Sequence, residues 1–306
     1  VAVLVTGGAG FIGSHLSAAL LARGETVRVV DDLSTGLAEN VPAGAELVDG
    51  DLTDPAIALA AVSGCEVVLH QAALPSVPLS IAAPHASHDA NINATFNVLM
   101  AARETGARRV VYAASSSAYG DSPTLPKVET MPTNPLSPYA LQKHVGEVYC
   151  QLFTQLYGLE TVVMRYFNVF GPRQRASSPY SGVLSLFIKA ALAGEAPTIY
   201  GDGEQTRDFT YVDNVVGAVL SAVSAPGACG EIINVAAGGC ISLNRAWESL
   251  AHIVGPLPPP AYAPVRIGDV RHSQADITKA QRLLGYRVTV PFEEGLRRTV
   301  EWMRGA

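Results

Sequence analysis

Cysteine is scarce in this chain: four residues, Cys65, Cys150, Cys229 and Cys240, sit in mostly apolar surroundings with no CxxC pair. That pattern excludes a disulfide framework and a cysteine-built metal site, and it points to buried thiols in a reducing compartment. Charge is scarce too, at 16% of 306 residues with a formal balance of -6. Such a surface has no long-range attraction for nucleic acid or an anionic membrane, although it is compatible with a local basic pocket for a phosphorylated ligand. No apolar run reaches the ~18 residues that span a bilayer, and "VAVLVTGG" opens without a charged leader. Internal repeats and low-complexity tracts are lacking as well. The expectation is a soluble, cytoplasmic protein with no membrane, nucleic-acid or metal partner.

With 48% hydrophobic residues the chain can bury one large core or two joined ones. Short β-branched runs, "VAVLVTG", "TVRVVDD", "AELVDGD", "VVLHQAA" and "RVVYAASS", alternate with segments of helical spacing. Continuous apolar strands joined by helices are what a parallel sheet covered on both faces requires, so the fold class is α/β with a doubly wound parallel (Rossmann) sheet. A further strand is expected over 161–167, followed by a loop rich in Pro, Arg and Ser. Helices over 183–192 and 212–224, strands at "TIYGDG" and "EIINVA", a proline cluster at 256–260 and a last helix from Phe292 complete the pattern. Residues 1–168 read as a cofactor-binding domain. Residues 169–306 read mainly as a smaller C-terminal α/β substrate-binding region, with segments near 205–236 returning to the sheet.

"VLVTGGAGFIGSHL" places Gly7, Gly10 and Gly13 between the first strand and its helix, where missing β-carbons let backbone N–H groups approach a pyrophosphate. The spacing is GxxGxxG rather than the commoner GxGxxG. Asp31 ends the second strand about 20 residues further on, where a carboxylate can bind an adenosine ribose and repel a 2′-phosphate; NAD is therefore favoured over NADP. Asp51, after "ELVDG", can reach an adenine or simply occupy a surface turn.

Tyr139 and Lys143 stand four apart just after "NPLSP", which suits a helix start, and that spacing puts both on one face. A phenol with a pKa near ~10 is a poor base at neutral pH unless positive charge is close. A strand running "RVVYAA" ends at Ser115 on the carboxyl edge of the sheet, where such folds bind ligands.

Together GxxGxxG, the acidic second strand, Ser115 before "YG" and Tyr139-x-x-x-Lys143 resemble the extended short-chain dehydrogenase/reductase family over nearly the whole chain. "HQAALPSVP", "RYFNVFGPRQ", "IYGDGEQTRDFTYVDNV" and "GDVRHSQADITKA" resemble the nucleotide-sugar 4-epimerases, most closely the branch that accepts UDP-N-acetylglucosamine and UDP-N-acetylgalactosamine. The resemblance implies tightly bound NAD and a UDP-sugar substrate. Tyr139 would take the proton of the sugar 4-hydroxyl while hydride leaves C4, Ser115 would bridge the 4-oxygen, and Lys143 would hold the nicotinamide ribose and depress the Tyr139 pKa. The 4-keto sugar then turns over and takes the hydride back.

The same resemblance assigns cofactor contacts to Gly7, Gly10, Phe11, Ile12, Gly13, Asp31, Asp32, Asp51, Leu52, Gln71, Ala72, Ala73 and Asn93, with Tyr139 and Lys143. Substrate contacts fall on Ser76, Ser116, Ser117, Asn168, Val183, Tyr200, Arg207, Arg266, Asp269 and Ser273. Arg207 and Arg266 would hold the diphosphate, Asp269 the uridine ribose, and Tyr200 would lie near the uracil. Ser273 stands where epimerases confined to plain hexoses carry a bulky aromatic, which leaves room for an N-acetyl group and implies activity on both acetylated and plain UDP-hexoses. "SSSAYG" admits a second alignment in which Ser116 is the catalytic serine. A homodimer built on helices 91–104 and 139–157 is expected.

Three rivals remain on sequence. One is a nucleotide-sugar 4,6-dehydratase or decarboxylase of this fold; in the dehydratases elimination looks to use an Asp-Glu pair directly after the Ser/Thr, where Ser116 and Ser117 stand here. A UDP-glucuronate 4-epimerase would differ only at C6, where Arg175 or nearby hydroxyls are available. A non-catalytic NAD-binding protein would lack Tyr139 or Lys143.

Overall fold

The computed structural model describes residues 1–175, 182–265 and 270–305. Six strands, β1 (Ala2–Thr6), β2 (Thr26–Asp31), β3 (Glu46–Asp49), β4 (Val67–His70), β5 (Arg109–Ser115) and β6 (Glu160–Tyr166), lie in one sheet with a seventh, Ile232–Val235. Across the sheet the order is β3, β2, β1, β4, β5, β6 and then Ile232–Val235, every pair parallel. This is the doubly wound arrangement that the alternation of apolar runs predicts. "EIINVA" supplies the outermost strand beside β6.

Neighbouring side chains of each strand enter different cores because successive side chains point to opposite faces. Val3, Val5, Val29, Leu69 and Val111 join Leu16 and Leu20 of α1 (Phe11–Ala22) on one side. Leu4, Val30, Val68 and Val110 pack on the other against α2 (Pro55–Val62), α5 (Ala94–Thr105) and α6 (Pro138–Tyr157). Two short helices, α3 (Val77–Ala82) and α4 (Pro84–His88), follow the loop after β4.

Strand order reverses between β1 and β4, so their carboxyl ends diverge and leave a crevice. A buried chain of hydrogen bonds sets the floor of that crevice. The Thr6 hydroxyl accepts the N–H groups of Gln71 and Ala72, both at 3.1 Å, and so is left to donate to His70 Nδ1 at 2.7 Å. His70 Nε2 then donates to Thr95 Oγ1 at 3.0 Å, and Thr95 donates to the Asn91 carbonyl at 2.8 Å. The imidazole is neutral; burial pushes its pKa down to about 3.

The C-terminal half caps the carboxyl edge with two-stranded pairings: Val169–Phe170 with Thr210–Tyr211, Thr206–Arg207 with Ile241–Ser242, and Thr198–Tyr200 with Ala261–Ala263. One element differs from expectation. The helix predicted over 91–104 is preceded by a π-helical turn, Asp89–Asn93, before α5 proper begins at Ala94. The wider turn rotates its side chains relative to an α-helical count.

Candidate active site

A cavity of about 1320 Å³ runs along the carboxyl edge, from the glycine turn after β1 to Ser273. The turn is compact because two positions admit no side chain. Gly7 has φ +65°, and a β-carbon there would meet Ala72 Cα at 2.8 Å; one on Gly13 would meet the Gly7 carbonyl oxygen at 2.2 Å. Gly10 caps α1 with no side-chain hydrogen bond, so amides of the first turn are left for an outside acceptor. At the end of β2 the buried Asp31 accepts the Ala9 N–H at 2.9 Å and the Leu33 N–H at 3.0 Å. Burial nevertheless raises its pKa, a shift that those two bonds oppose.

The opposite wall is built where β5 ends at Ser115 and α6 begins. Ser137 caps α6 by accepting the Ala140 N–H at 3.2 Å, and Pro138 needs no partner in the first turn. The Tyr139 N–H donates to Ser80 Oγ of α3 at 3.1 Å, which ties the helix start to the loop after β4. One turn on, the buried Lys143 donates from Nζ to the Ala113 carbonyl at 2.8 Å and lies 4.9 Å from the centre of the Tyr112 ring. Burial pushes Lys143 down to about 8.

Tyr139 is half-buried with one side on the cavity. Its phenol is pushed up to about 12, chiefly by loss of water, against a hydrogen bond from Ser115 that acts downward. Desolvation is the largest influence on the phenol, while the Lys143 ammonium one turn away donates to the Ala113 carbonyl. Ser115 Oγ in turn accepts both the N–H of Ser117 at 3.2 Å and its hydroxyl at 2.8 Å.

Between the walls, the loop after β4 is fixed by Asn91. Its Oδ1 accepts the Leu74 N–H at 2.9 Å and its Nδ2 donates to Gln142 Oε1 at 2.9 Å; that oxygen also accepts from Ser87 Oγ at 2.7 Å. Beside them the Tyr166 hydroxyl donates to Gln71 Oε1 at 3.2 Å, while Gln71 Nε2 is buried in the cavity wall with no acceptor among the described residues. At the far end Asn168 Nδ2 donates to the Asp208 carbonyl at 3.4 Å. The fully buried Asp208 carboxylate accepts the N–H groups of Ala237 at 3.0 Å and Ala275 at 3.1 Å, and burial pushes it up to about 6.

Residues 3–236 match the model of the NAD dependent epimerase/dehydratase family. The chain belongs to that family. It is 41% identical over 312 residues to the UDP-glucose 4-epimerase of Mycolicibacterium smegmatis, covering 98% of each chain. A solved UDP-glucose 4-epimerase with UDP-glucose from Thermotoga maritima superposes with a TM-score of 0.96 at 38% identity, over 100% of this chain and 99% of the other. A UDP-N-acetylglucosamine 4-epimerase from Methanobrevibacter ruminantium, in complex with UDP-N-acetylmuramic acid, gives 0.95 at 39% over 99% and 98%. NAD is the cofactor of the family, and the residues present fit it: a glycine turn that a β-carbon would fill, an uncapped helix start, a buried ribose-side carboxylate and the unsatisfied Gln71 amide.

Most positions assigned from the epimerase/dehydratase resemblance line this one cavity. They are Gly7, Gly10, Phe11, Ile12, Gly13, Asp31, Asp32, Asp51, Leu52, Gln71, Ala72 and Ala73 on the cofactor side, and Ser76, Ser115, Ser116, Ser117, Tyr139, Lys143, Asn168, Arg207 and Ser273 beyond. Some carry local duties as well: Ser76 caps α3 through the Leu79 N–H at 3.2 Å, and the exposed Asp51 closes a turn onto the Thr53 N–H at 2.8 Å. Three positions do not line it. Asn93 is exposed and donates to Asp89 at 2.7 Å, because the π-helical turn gives the inward place to Asn91. Val183 and Tyr200 also fall outside the lining. Arg266 and Asp269 lie outside the described residues.

Three contributors are not evident from the sequence. Asn91 and Gln142 form the buried link between loop and helix, and the "NIN" stretch offered a choice of asparagines that only the turn geometry decides. Arg173, in "GPRQ", lines the cavity with φ +66° and a buried Nη1 that has no acceptor among the described residues. It lies close enough to His15 of α1 to help burial hold that imidazole below its ordinary value. A cation so placed complements a phosphate near the α1 N-terminus.

Proposed function

We propose that this protein catalyses 4-epimerisation of a UDP-hexose, interconverting UDP-N-acetylglucosamine with UDP-N-acetylgalactosamine and also UDP-glucose with UDP-galactose. The observation that carries the reading is the joining of Ser115, Tyr139 and Lys143 on one wall of the cavity whose other end holds the glycine turn and Asp31. The chemistry that NAD supplies when bound is reversible hydride acceptance at sugar C4. Tyr139 takes the 4-hydroxyl proton, Ser115 donates to the oxygen, and Lys143 supplies positive charge within one turn of the phenol. A phenol raised by burial becomes a usable base only when charge of that kind is close.

Ser273 on the cavity wall, in place of a large aromatic side chain, supports acceptance of an N-acetyl group. Elimination is disfavoured because Ser116 and Ser117 offer hydroxyls where a dehydratase needs carboxylates. A glucuronate substrate draws less support from Arg175, which donates to the Thr35 carbonyl at 2.9 Å, and would lean on the cavity hydroxyls instead. A homodimer fits the reading: Leu141, Val148, Leu152 and Leu156 form one exposed apolar face of α6, with Phe96 of α5 exposed too. The test is parallel incubation with UDP-N-acetylglucosamine, UDP-glucose and UDP-glucuronate without added NAD, reading each epimer ratio. Turnover of the first two supports the proposal; turnover of the glucuronate alone, or release of a 4-keto-6-deoxy sugar, refutes it.

A further inference from the structure

Ser115 Oγ has one proton to donate and two lone pairs to accept with. Ser117 fills both lone pairs, one through its backbone N–H at 3.2 Å and one through its hydroxyl at 2.8 Å. The Ser115 proton therefore points away from Ser117, which leaves it for the Tyr139 phenol, a group that a hydrogen bond from Ser115 influences. We propose that Ser117 is a positioning residue that makes Ser115 an obligatory donor, its single proton directed at the phenol in the free enzyme and at the reacting sugar oxygen when substrate binds. With its lone pairs occupied, Ser115 cannot receive the substrate proton; the sugar O4–H bond breaks with its proton passing directly to Tyr139, and Ser115 keeps its own. The three consecutive serines thus divide the work: Ser115 touches the reacting atoms, Ser117 sets its polarity, and Ser116 lines the cavity.

The inference rests on the epimerase reading, and the test separates the two. Steady-state kinetics with UDP-N-acetylglucosamine are compared for the wild type, Ser117→Ala, Ser117→Thr and Tyr139→Phe, together with thermal midpoints and the NAD carried through purification. Loss of the Ser117 hydroxyl frees one lone pair and lets Ser115 turn round, which costs part of a general acid–base contribution; kcat falls about tenfold while KM stays within about twofold. Ser117→Thr, which keeps the donor, returns kcat to within about threefold of wild type. Ser117→Cys, nearly the same size but a weak donor, behaves like Ser117→Ala and serves if the alanine variant does not fold. A raised KM with unchanged kcat would make Ser117 a substrate contact and overturn the inference, as would no change in either constant. If Tyr139→Phe keeps wild-type turnover, the epimerase reading itself fails; if it is inactive while Ser117→Ala is normal, only the Ser117 inference fails.

Discussion

His70 makes the protein's acid stability a test of the hydrogen-bond chain beneath the crevice. The imidazole is buried, donates to Thr95, accepts from Thr6, and has its pKa pushed from 6.5 down to about 3. Below pH 6.5 an unfolded chain protonates this histidine while the folded chain does not, so the unfolded state binds more protons and stability falls with pH. Each pH unit is worth about 1.4 kcal/mol, so between pH 6.5 and about pH 5 the loss is about 2 kcal/mol, continuing until the folded pKa is reached. Asp208 acts oppositely: its folded pKa of about 6, raised from 3.8, means that folding takes up a proton over that window and stability rises as pH falls. The wild-type slope is thus a sum, and the informative quantity is a difference. In His70→Asn, an amide oxygen near the Nδ1 position can still accept from Thr6, and the Asp208 contribution is unchanged. Urea unfolding of both proteins at pH 6.5 and about pH 5 should show the gap between them narrowing by about 2 kcal/mol at the lower pH. Parallel pH slopes would refute the neutral, proton-refusing histidine and with it the direction assigned to every bond in the chain.

Glu147→Gln should destabilise the fold by roughly 3–5 kcal/mol in denaturant titration, because it leaves the buried Arg165 guanidinium without the carboxylate it contacts at 2.7 and 2.8 Å. A loss below about 1 kcal/mol would mean that the pair is not the only counter-charge. Gly7→Ala should yield protein that purifies with little NAD, since the added carbon meets the Ala72 backbone at 2.8 Å on a residue with φ +65°; nucleotide content measured after denaturation checks it, and normal content would contradict the packing of the turn.

The central sheet was readable because a parallel strand buried on both faces prints as an unbroken apolar run, and all four residues of β4 are buried. The start of α6 was readable for a local reason, with Ser137 as cap and Pro138 in the first turn. Asn93 was misplaced because a π-helical turn changes which residues face inward, and no residue type announces one. The rise in the Tyr139 pKa was equally hidden. Spacing places Lys143 one turn away, but the balance of desolvation against charge depends on β5 and Tyr112, which are remote in sequence. Asn91, Gln142 and Arg173 contribute through contacts that only the folded chain brings together.

Transient oxidation at sugar C4, followed by return of the same hydrogen, is tested most directly by running the reaction in deuterium oxide and reading C4 of the product by NMR. The account predicts that UDP-N-acetylglucosamine gives its 4-epimer with no deuterium at C4, because the hydrogen never reaches solvent while the Tyr139 proton exchanges freely. Deuterium at C4 of the epimer would contradict it.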